Sequence, residues 1–368
     1  MKSTKKLYFT YRGRVSLYIL LKAMNVQKND LVAVQSFTCS AVIESILALK
    51  AKPIFIDINS KDLMINKKDL VKKISDKKKI KAIIIQYTFG LYSNINSIKK
   101  ICNQKKIFLI EDCCHINPNK TFKNGPGSFG DASFFSFEWG KPIIGGIGGA
   151  FIVNNKSILK KTEFLFSKLK KPSIVKEIII SLQYLTFKIF YNPKTYWVLK
   201  DLFNYLSKKK IIIGNFSSKD IRIQSPDFNF KSLRFSEKIV ESKLKKNVNK
   251  ITITNKIINR INKFYDMYKM NNFFNIKTKK KLELLRIPIF LNHKQKILKL
   301  AKQNKIEVAS WYISPVHPYM KYELKRVGYK KNSCPNAEKI SNHLVSLPLN
   351  ISSRKLEQFF KLINIYDQ

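Results

Sequence analysis

The sequence predicts an α/β protein: a mostly parallel sheet flanked by helices, followed by a smaller α/β unit. Three observations carry this expectation. Strand-like and helical segments alternate through the first 155 residues, the order that parallel strands and crossover helices require. The segments Lys81–Gln86 and Ile107–Glu111 hold consecutive apolar residues, as strands buried on both faces do. A second, shorter strand–helix alternation begins near Leu282.

In chain order, Gly13–Met24 carries Leu17, Leu20, Leu21 and Met24 at helical spacing. The short apolar run Leu31–Val34 precedes a helix expected over Thr38–Leu49, and Pro53–Asp57 reads as a strand ending in an acid. Lys81–Gln86 is a strand, Asn94–Asn103 a helix, and Ile107–Glu111 a strand delivering Asp112 to its carboxyl end. In parallel sheets that end is where ligands bind. Ser133–Ser136 and Ala150–Val153 are two further strands, separated by a loop with four glycines in five positions, Gly145–Gly149. Aromatic and lysine-rich Ser173–Leu206 reads as one or two amphipathic helices inserted after the sheet, and Ser236–Phe264 as one long polar helix. A strand over Leu284–Phe290, a helix over Lys294–Gln303, a strand over Glu307–Trp311 and two closing helices complete the chain. The expected division is a large domain over 1–265, with the insert near 170–215, and a small C-terminal domain over 266–368.

Composition narrows the function classes. With 45% hydrophobic and 12% aromatic residues, the chain is globular in composition. No apolar signal segment follows the basic Met1–Tyr8, and no uncharged run reaches the roughly 18–20 residues of a spanning helix. Five cysteines, without a Cys-x-x-Cys pair, suit a reduced cytoplasmic protein and supply no metal-ligand spacing. The formal charge of +46 attracts anions. The lysines are spread along the whole chain beside many Ile and Asn, the pattern of a compositional bias on solvated faces; an anionic partner is the other reading. Nucleic acid is not expected, because no finger, zipper or ribonucleoprotein signature is present. The insert is the segment suited to peripheral contact with a membrane surface.

Lys141 lies between a strand and the glycine-rich turn, where a rigid scaffold leaves an amine room to form an imine with an aldehyde. Asp112 ends the strand Phe-Leu-Ile-Glu-Asp, and an acid there suits a protonated ring nitrogen. His115 follows three residues later and is placed to cover a ring; a structural histidine is the plainer alternative. Gly13-Arg14-Val15-Ser16 opens a helix whose amides suit a phosphate.

In this order, Gly13-Arg14-x-x-Leu17, Ser36-Phe37-Thr38-Cys39, Pro53–Asp57, Glu111-Asp112-x-x-His115, Phe129–Phe137 with Lys141 and Gly148-Gly149, Phe228-Asn229-Phe230 and Ser346–Leu349 resemble the DegT/DnrJ-type sugar aminotransferases of the fold-type I superfamily. The similarity runs from about residue 8 to the C-terminus and is weakest over 170–215. The resemblance implies a three-layer α/β/α pyridoxal-phosphate (PLP) transferase domain. It makes Lys141 the Schiff-base lysine, Asp112 the partner of the pyridinium nitrogen and His115 the ring's neighbour. Ser136 and the backbone of Arg14 and Val15 would hold the phosphate. Asn229 would reach the phosphate of a second subunit, giving a homodimer with shared sites. His317, in Ser314-Pro-Val-His-Pro-Tyr319, would line the substrate pocket; a structural histidine in a proline turn fits equally. The implied reaction moves an amino group from glutamate to a nucleotide-linked keto-deoxysugar for a polysaccharide or surface glycan; the alternative reading, from the insert and the charge, is a membrane-surface anion-binding protein with an idle or secondary PLP site. Departures from the family pattern are Ile147 where Glu is frequent, Cys39 where an aromatic follows Thr38, and Arg14 where a threonine is usual in the phosphate-binding turn, a change expected to add a side-chain charge there.

Overall fold

The computed structural model describes residues 6–75, 80–121, 125–192, 194–209, 211–214, 221, 225–246, 250–274, 276 and 282–367. Within these, β1 (Tyr8–Thr10) leads into α1 (Gly13–Ala23), β2 (Leu31–Gln35), the two-residue β3 (Thr38–Cys39) and α2 (Ser40–Ala48). Then come β4 (Lys52–Ile56), α3 (Lys67–Ile74), β5 (Ile80–Gln86), α4 (Asn96–Lys105), β6 (Phe108–Asp112) and the single turn α5 (Pro118–Thr121). β7 (Ala132–Ser136), β8 (Gly149–Val153) and α6 (Lys156–Ser167) close the first half. The helix pair α7 (Ile174–Phe190) and α8 (Tyr196–Lys208) follows, then α9 (Arg234–Lys246) and α10 (Ile251–Met267). The C-terminal elements are β9 (Arg286–Phe290), α11 (Lys294–Gln303), β10 (Val316–His317), α12 (Lys321–Arg326), α13 (Pro335–His343), β11 (Leu344–Pro348) and α14 (Ser353–Tyr366).

Seven strands form one sheet in the order β1-β8-β7-β6-β5-β2-β4. β4, β2, β5, β6 and β7 run parallel; β8 is added antiparallel to β7, and β1 antiparallel to β8 at the edge. The consecutive apolar residues of β5 and β6 are buried as their sequence requires: Ile83, Ile84, Ile85, Leu109 and Ile110 are at most 1% exposed. Register sets Gln86 opposite Asp112, and Asp112 opposite Phe134, so the ends of β5, β6 and β7 line up. Antiparallel β9 and β11 form a second, two-stranded sheet. β10 pairs in parallel with β3 and ties the C-terminal part to the mouth of the large sheet.

Three expectations are corrected, the first being the two closing helices, which are three (α12, α13 and α14) with β11 between the last two. Glu307–Trp311 is not a strand; one isolated bridge, Ala309 to Ser346, is all it forms. Ala309 and Ser346 exchange both backbone hydrogen bonds, at 3.0 and 2.8 Å, and beside them the Arg286 guanidinium bonds Glu307 Oε1 at 2.8 Å and the Ser346 carbonyl at 3.1 Å. The long helix expected over Ser236–Phe264 is two helices, α9 and α10, with residues 247–249 between them outside the described set. Of the basic N-terminal segment, Met1–Lys5 also lies outside it. Three elements carry too little periodic signal to be expected. β1 has three residues, α3 buries only Leu70 and Ile74, and α6 buries only Ile158 and Thr162.

Candidate active site

Strand alternation points Glu111 and Asp112 to opposite faces. Glu111 braces the turn ahead of β7, accepting the amides of Gly127, Phe129 and Gly130 at 2.6–2.7 Å and the Tyr87 hydroxyl. Asp112 is turned the other way, 4% exposed, with Oδ1 accepting the Cys114 amide at 2.9 Å. Burial pushes its carboxyl above the usual range, against the opposing pull of the Cys114 hydrogen bonds and the Lys141 charge.

The loop between β7 and β8 folds back on itself. Phe137 N–H donates to Gly148 O at 2.9 Å, Gly145 N–H to Phe137 O at 2.8 Å, and Lys141 N–H to Glu138 O at 3.2 Å. Gly140 is required here: its φ is +74°, and a Cβ would lie 2.6 Å from the Trp311 ring. The Lys141 amine consequently stands 5.6 Å from the Trp311 ring centroid. Its charge is felt at Asp112, His115, Cys39, Cys114, Glu138 and His317.

His115 is 4% exposed, and its Nδ1 accepts the Phe89 amide at 3.0 Å. A ring nitrogen that accepts is unprotonated, so the proton of the neutral ring is on Nε2. Burial first, and then the Lys141 charge, hold the imidazole well below its ordinary pKa. Its plane lies within 19° of Phe89, 10° of Trp311 and 14° of Tyr312, at centroid separations of 5.9, 6.2 and 6.3 Å. These parallel planes are suited to a flat aromatic ligand.

At the start of α1, Arg12 supplies no side-chain cap and the first turn carries no acid, an end that favours an anion. Gly13 packs so closely that a Cβ would meet Phe135 O and Ser136 Cβ at 3.2 Å. Ser136 therefore sits beside this helix end. The Arg14 side chain, expected to add a charge at this turn, is buried. Its guanidinium is held in a buried pair with Glu44, whose other oxygen accepts the Tyr319 hydroxyl at 2.6 Å. The Val15 amide closes the first turn on Arg12 O at 3.0 Å and is turned into the helix.

The structure thus brings Lys141, Asp112, His115 and Ser136 together, with Gly13 and Arg14 at their edge. His317 joins them through the β3–β10 pairing, 5.5 Å from the Tyr312 ring. Asn229 stands apart: it is exposed at the end of a 3₁₀ turn, its carbonyl accepting Lys170 N–H at 2.8 Å.

Several contributors were not expected from sequence. Arg12 bonds Glu138 at 2.8 Å and Asp227 at 3.1 Å, linking the helix start, the Lys141 loop and the Asn229 turn. Burial pushes the Glu138 carboxyl up, but Arg12 and Arg14 outweigh it and hold the group below its usual range. Trp139 is seated among Tyr184, Phe187 and Phe203 of the insert, with centroids 6.4, 4.9 and 6.4 Å away. Its position two residues before Lys141 was the available signal.

Burial, followed by Lys294, Lys141 and Lys200, lowers the His317 pKa from 6.5 to about 4. An unfolded chain takes up this proton near pH 6.5, the folded one only near 4. This contribution to stability is intact above 6.5 and is lost as the pH falls toward 4, by up to about 3 kcal/mol. The acid-side drop in urea midpoint between pH 7 and 4.5 is expected to shrink in His317→Asn; an identical drop would assign it to other groups.

The sequence profile described as the DegT/DnrJ/EryC1/StrS aminotransferase family matches residues 10–177 and 216–358. GDP-perosamine synthase of Vibrio cholerae is 32% identical over 149 residues, 40% of this chain and 40% of that protein. The putative pyridoxal phosphate-dependent aminotransferase EpsN of Bacillus subtilis (strain 168) is 27% identical over 166 residues, 44% of this chain and 43% of that protein. The chain thus matches about two fifths of the length of these curated relatives. In fold it is similar to the putative sugar aminotransferase Spr1654 from Streptococcus pneumoniae, PMP-form, with TM-score 0.72 and 16% identity, over 100% of this chain and 90% of that one.

Proposed function

This chain belongs to the DegT/DnrJ/EryC1/StrS aminotransferase family of PLP-dependent, fold-type I enzymes, and we propose that it transfers an amino group from glutamate to a nucleotide-linked keto-deoxysugar. The observation that supports this most is the shared bed of the Lys141 amine, the buried Asp112 carboxylate and the neutral His115 ring. The nucleotide-sugar assignment draws on the relatives, among them one named GDP-perosamine synthase.

The residues present suit PLP. The ring would lie against His115, its nitrogen toward Asp112, with the phosphate at the start of α1 beside Ser136. Bound there, the cofactor supplies an electron sink for the substrate carbon. Asp112 keeps a proton at the ring nitrogen. Lys141, released as a free amine, would act as the base that moves the proton between the substrate carbon and the cofactor carbon. A neutral His115 packs on the ring without competing for that proton, and Trp311 borders the amine and limits water. His317 faces the substrate side. The test is a screen of keto-sugar nucleotides with glutamate, following 2-oxoglutarate. No turnover with any of them by a PLP-loaded protein would overturn the sugar reading.

The same reading assigns Asn229 to the phosphate of a second subunit, for which its exposure leaves the side chain accessible. Hydrogen bonds to charged groups contribute about 1.5–3 kcal/mol, so Asn229→Ala is expected to weaken PLP binding roughly ten- to a hundredfold. Hybrids of Asn229→Ala and Lys141→Ala chains carry one complete site each. At limiting PLP they should recover toward half of the wild-type activity per dimer. Hybrids no more active than the unmixed parents would show that Asn229 serves its own chain or touches no cofactor.

A further inference from the structure

The family profile leaves residues 178–215 unmatched, and this stretch holds most of the α7–α8 pair. One face of α7 packs inward: Ile180 is fully buried near Gly146, and Tyr184 and Phe187 hold Trp139. The opposite face is apolar and uncovered. Ile174, Val175, Ile178, Leu182, Leu185 and Ile189 are each 53–76% exposed. At 3.6 residues per turn these six fall within a single arc of about 100°. α8 adds exposed Val198, Leu202 and Tyr205 at i, i+4 and i+7.

Charge selects the occupant. Residues 170–210 contain nine lysines against two acids, Glu177 and Asp201. Both acids are engaged within the chain. Glu177 caps α9 at the amides of Arg234 and Phe235, at 2.6 and 3.1 Å, and Asp201 pairs with Lys302 at 2.7 Å. Lys170, Lys171, Lys188, Lys194, Lys208 and Lys209 are exposed around the stripe. A second copy of this chain seated on the same face would bring lysines against lysines with no acid to answer them. A surface that is apolar below and anionic above matches both features, and a helix lying in that plane is the form such surfaces take up. No described helix is long and apolar enough to cross a membrane.

We propose that the α7–α8 pair docks the protein onto an anionic lipid bilayer, with the α7 stripe in the interface and the lysines among the headgroups. The inward face of α7 packs on Trp139, two residues from Lys141. Docking would hold the active-site loop about one helix diameter, roughly 10–12 Å, from the bilayer. Membrane binding does not depend on the amino-transfer reading and is measured separately from it.

The test is flotation of the full-length, PLP-loaded protein with vesicles of equal phosphatidylglycerol and phosphatidylcholine, and with phosphatidylcholine alone. Wild type should float with the anionic vesicles, at least tenfold less with neutral ones, and at least tenfold less in about 0.5 M salt, where the Debye length is shorter. Leu182→Glu/Leu185→Glu and Lys188→Glu/Lys194→Glu/Lys209→Glu should each lose flotation tenfold or more while keeping the bound-cofactor absorbance. Wild type that stays unbound, or stripe variants that float as well as wild type, would overturn the proposal. So would a stripe variant whose particle mass falls without vesicles, which would make the face a contact between copies.

Discussion

Lys141→Ala is expected to lose amino-transfer activity by about a thousandfold or more, since it removes both the covalent anchor and the proton carrier, and proton transfer alone is typically worth 10²–10⁴. The position explains the size of the effect. Lys141 is set by a turn that closes through Glu138 O, and its amine lies beside Trp311 among Asp112, His115 and His317. Lys200 and Lys294 are also felt at His317, and burial lowers the pKa of Lys294 to about 8. Its amine is bonded to the carbonyls of Ser341 at 2.7 Å and Tyr312 at 3.4 Å, so it is held as a structural cation. Borohydride treatment should attach the cofactor covalently to the Lys141 peptide of the wild type and label nothing in Lys141→Ala. Lys141→Arg separates charge from chemistry. It keeps the positive charge near Asp112 and His115 but cannot surrender a proton near neutral pH, so it should leave the protein folded and inactive. Full turnover in either variant, or a label on Lys294, would remove Lys141 from its assigned role.

What was legible in the sequence was written in local chemistry. Runs such as Ala82–Ile85 and Phe108–Ile110 are buried on both faces of a parallel sheet, and few other settings suit them. Asp112 at the end of one such run could be placed without knowing any contact. Lys141 was legible from its place between a strand and the glycine-rich turn Gly145–Gly149, taken together with the family resemblance of the Phe129–Phe137 block. Contacts between distant parts of the chain were not legible. Arg12 meets Glu138 and Asp227 across 126 and 215 residues, and no periodicity encodes that. Trp311 reached the site in a segment expected to be a strand, because the consecutive apolar residues Val308 and Ala309 fit a strand equally well. Arg14 read as an added charge for an anion, but its partner Glu44 lies on the next helix, and an acid one element away is invisible to a motif. The insert read correctly as helical and amphipathic. Its seat on Trp139, which turns one face inward and leaves the other bare, required the structure.

Asp112→Asn is expected to cut turnover by on the order of a hundredfold or more with the fold retained, because a neutral ring nitrogen makes the cofactor a poor electron sink. In the protein alone, burial raises the Asp112 pKa while the Cys114 hydrogen bonds and the Lys141 charge pull it down. A protonated ring nitrogen would add an opposite charge at hydrogen-bond distance, which favours the ionised carboxylate. Acid and ring would therefore stabilise each other's charged form, each paying part of the other's desolvation. Asparagine keeps the shape and can still accept the Cys114 amide, so the stability of the protein without cofactor should change little. It cannot hold the ring proton. Three readouts separate this role from a structural one. kcat should fall far more than KM rises, the pH dependence of the bound-cofactor absorbance should shift, and Asp112→Glu should recover more activity than Asp112→Asn if its longer arm can be accommodated. Equal losses in urea midpoint and turnover would mean that Asp112 only shapes the loop through the Cys114 amide. Near-normal turnover in Asp112→Asn would remove it from the chemistry altogether.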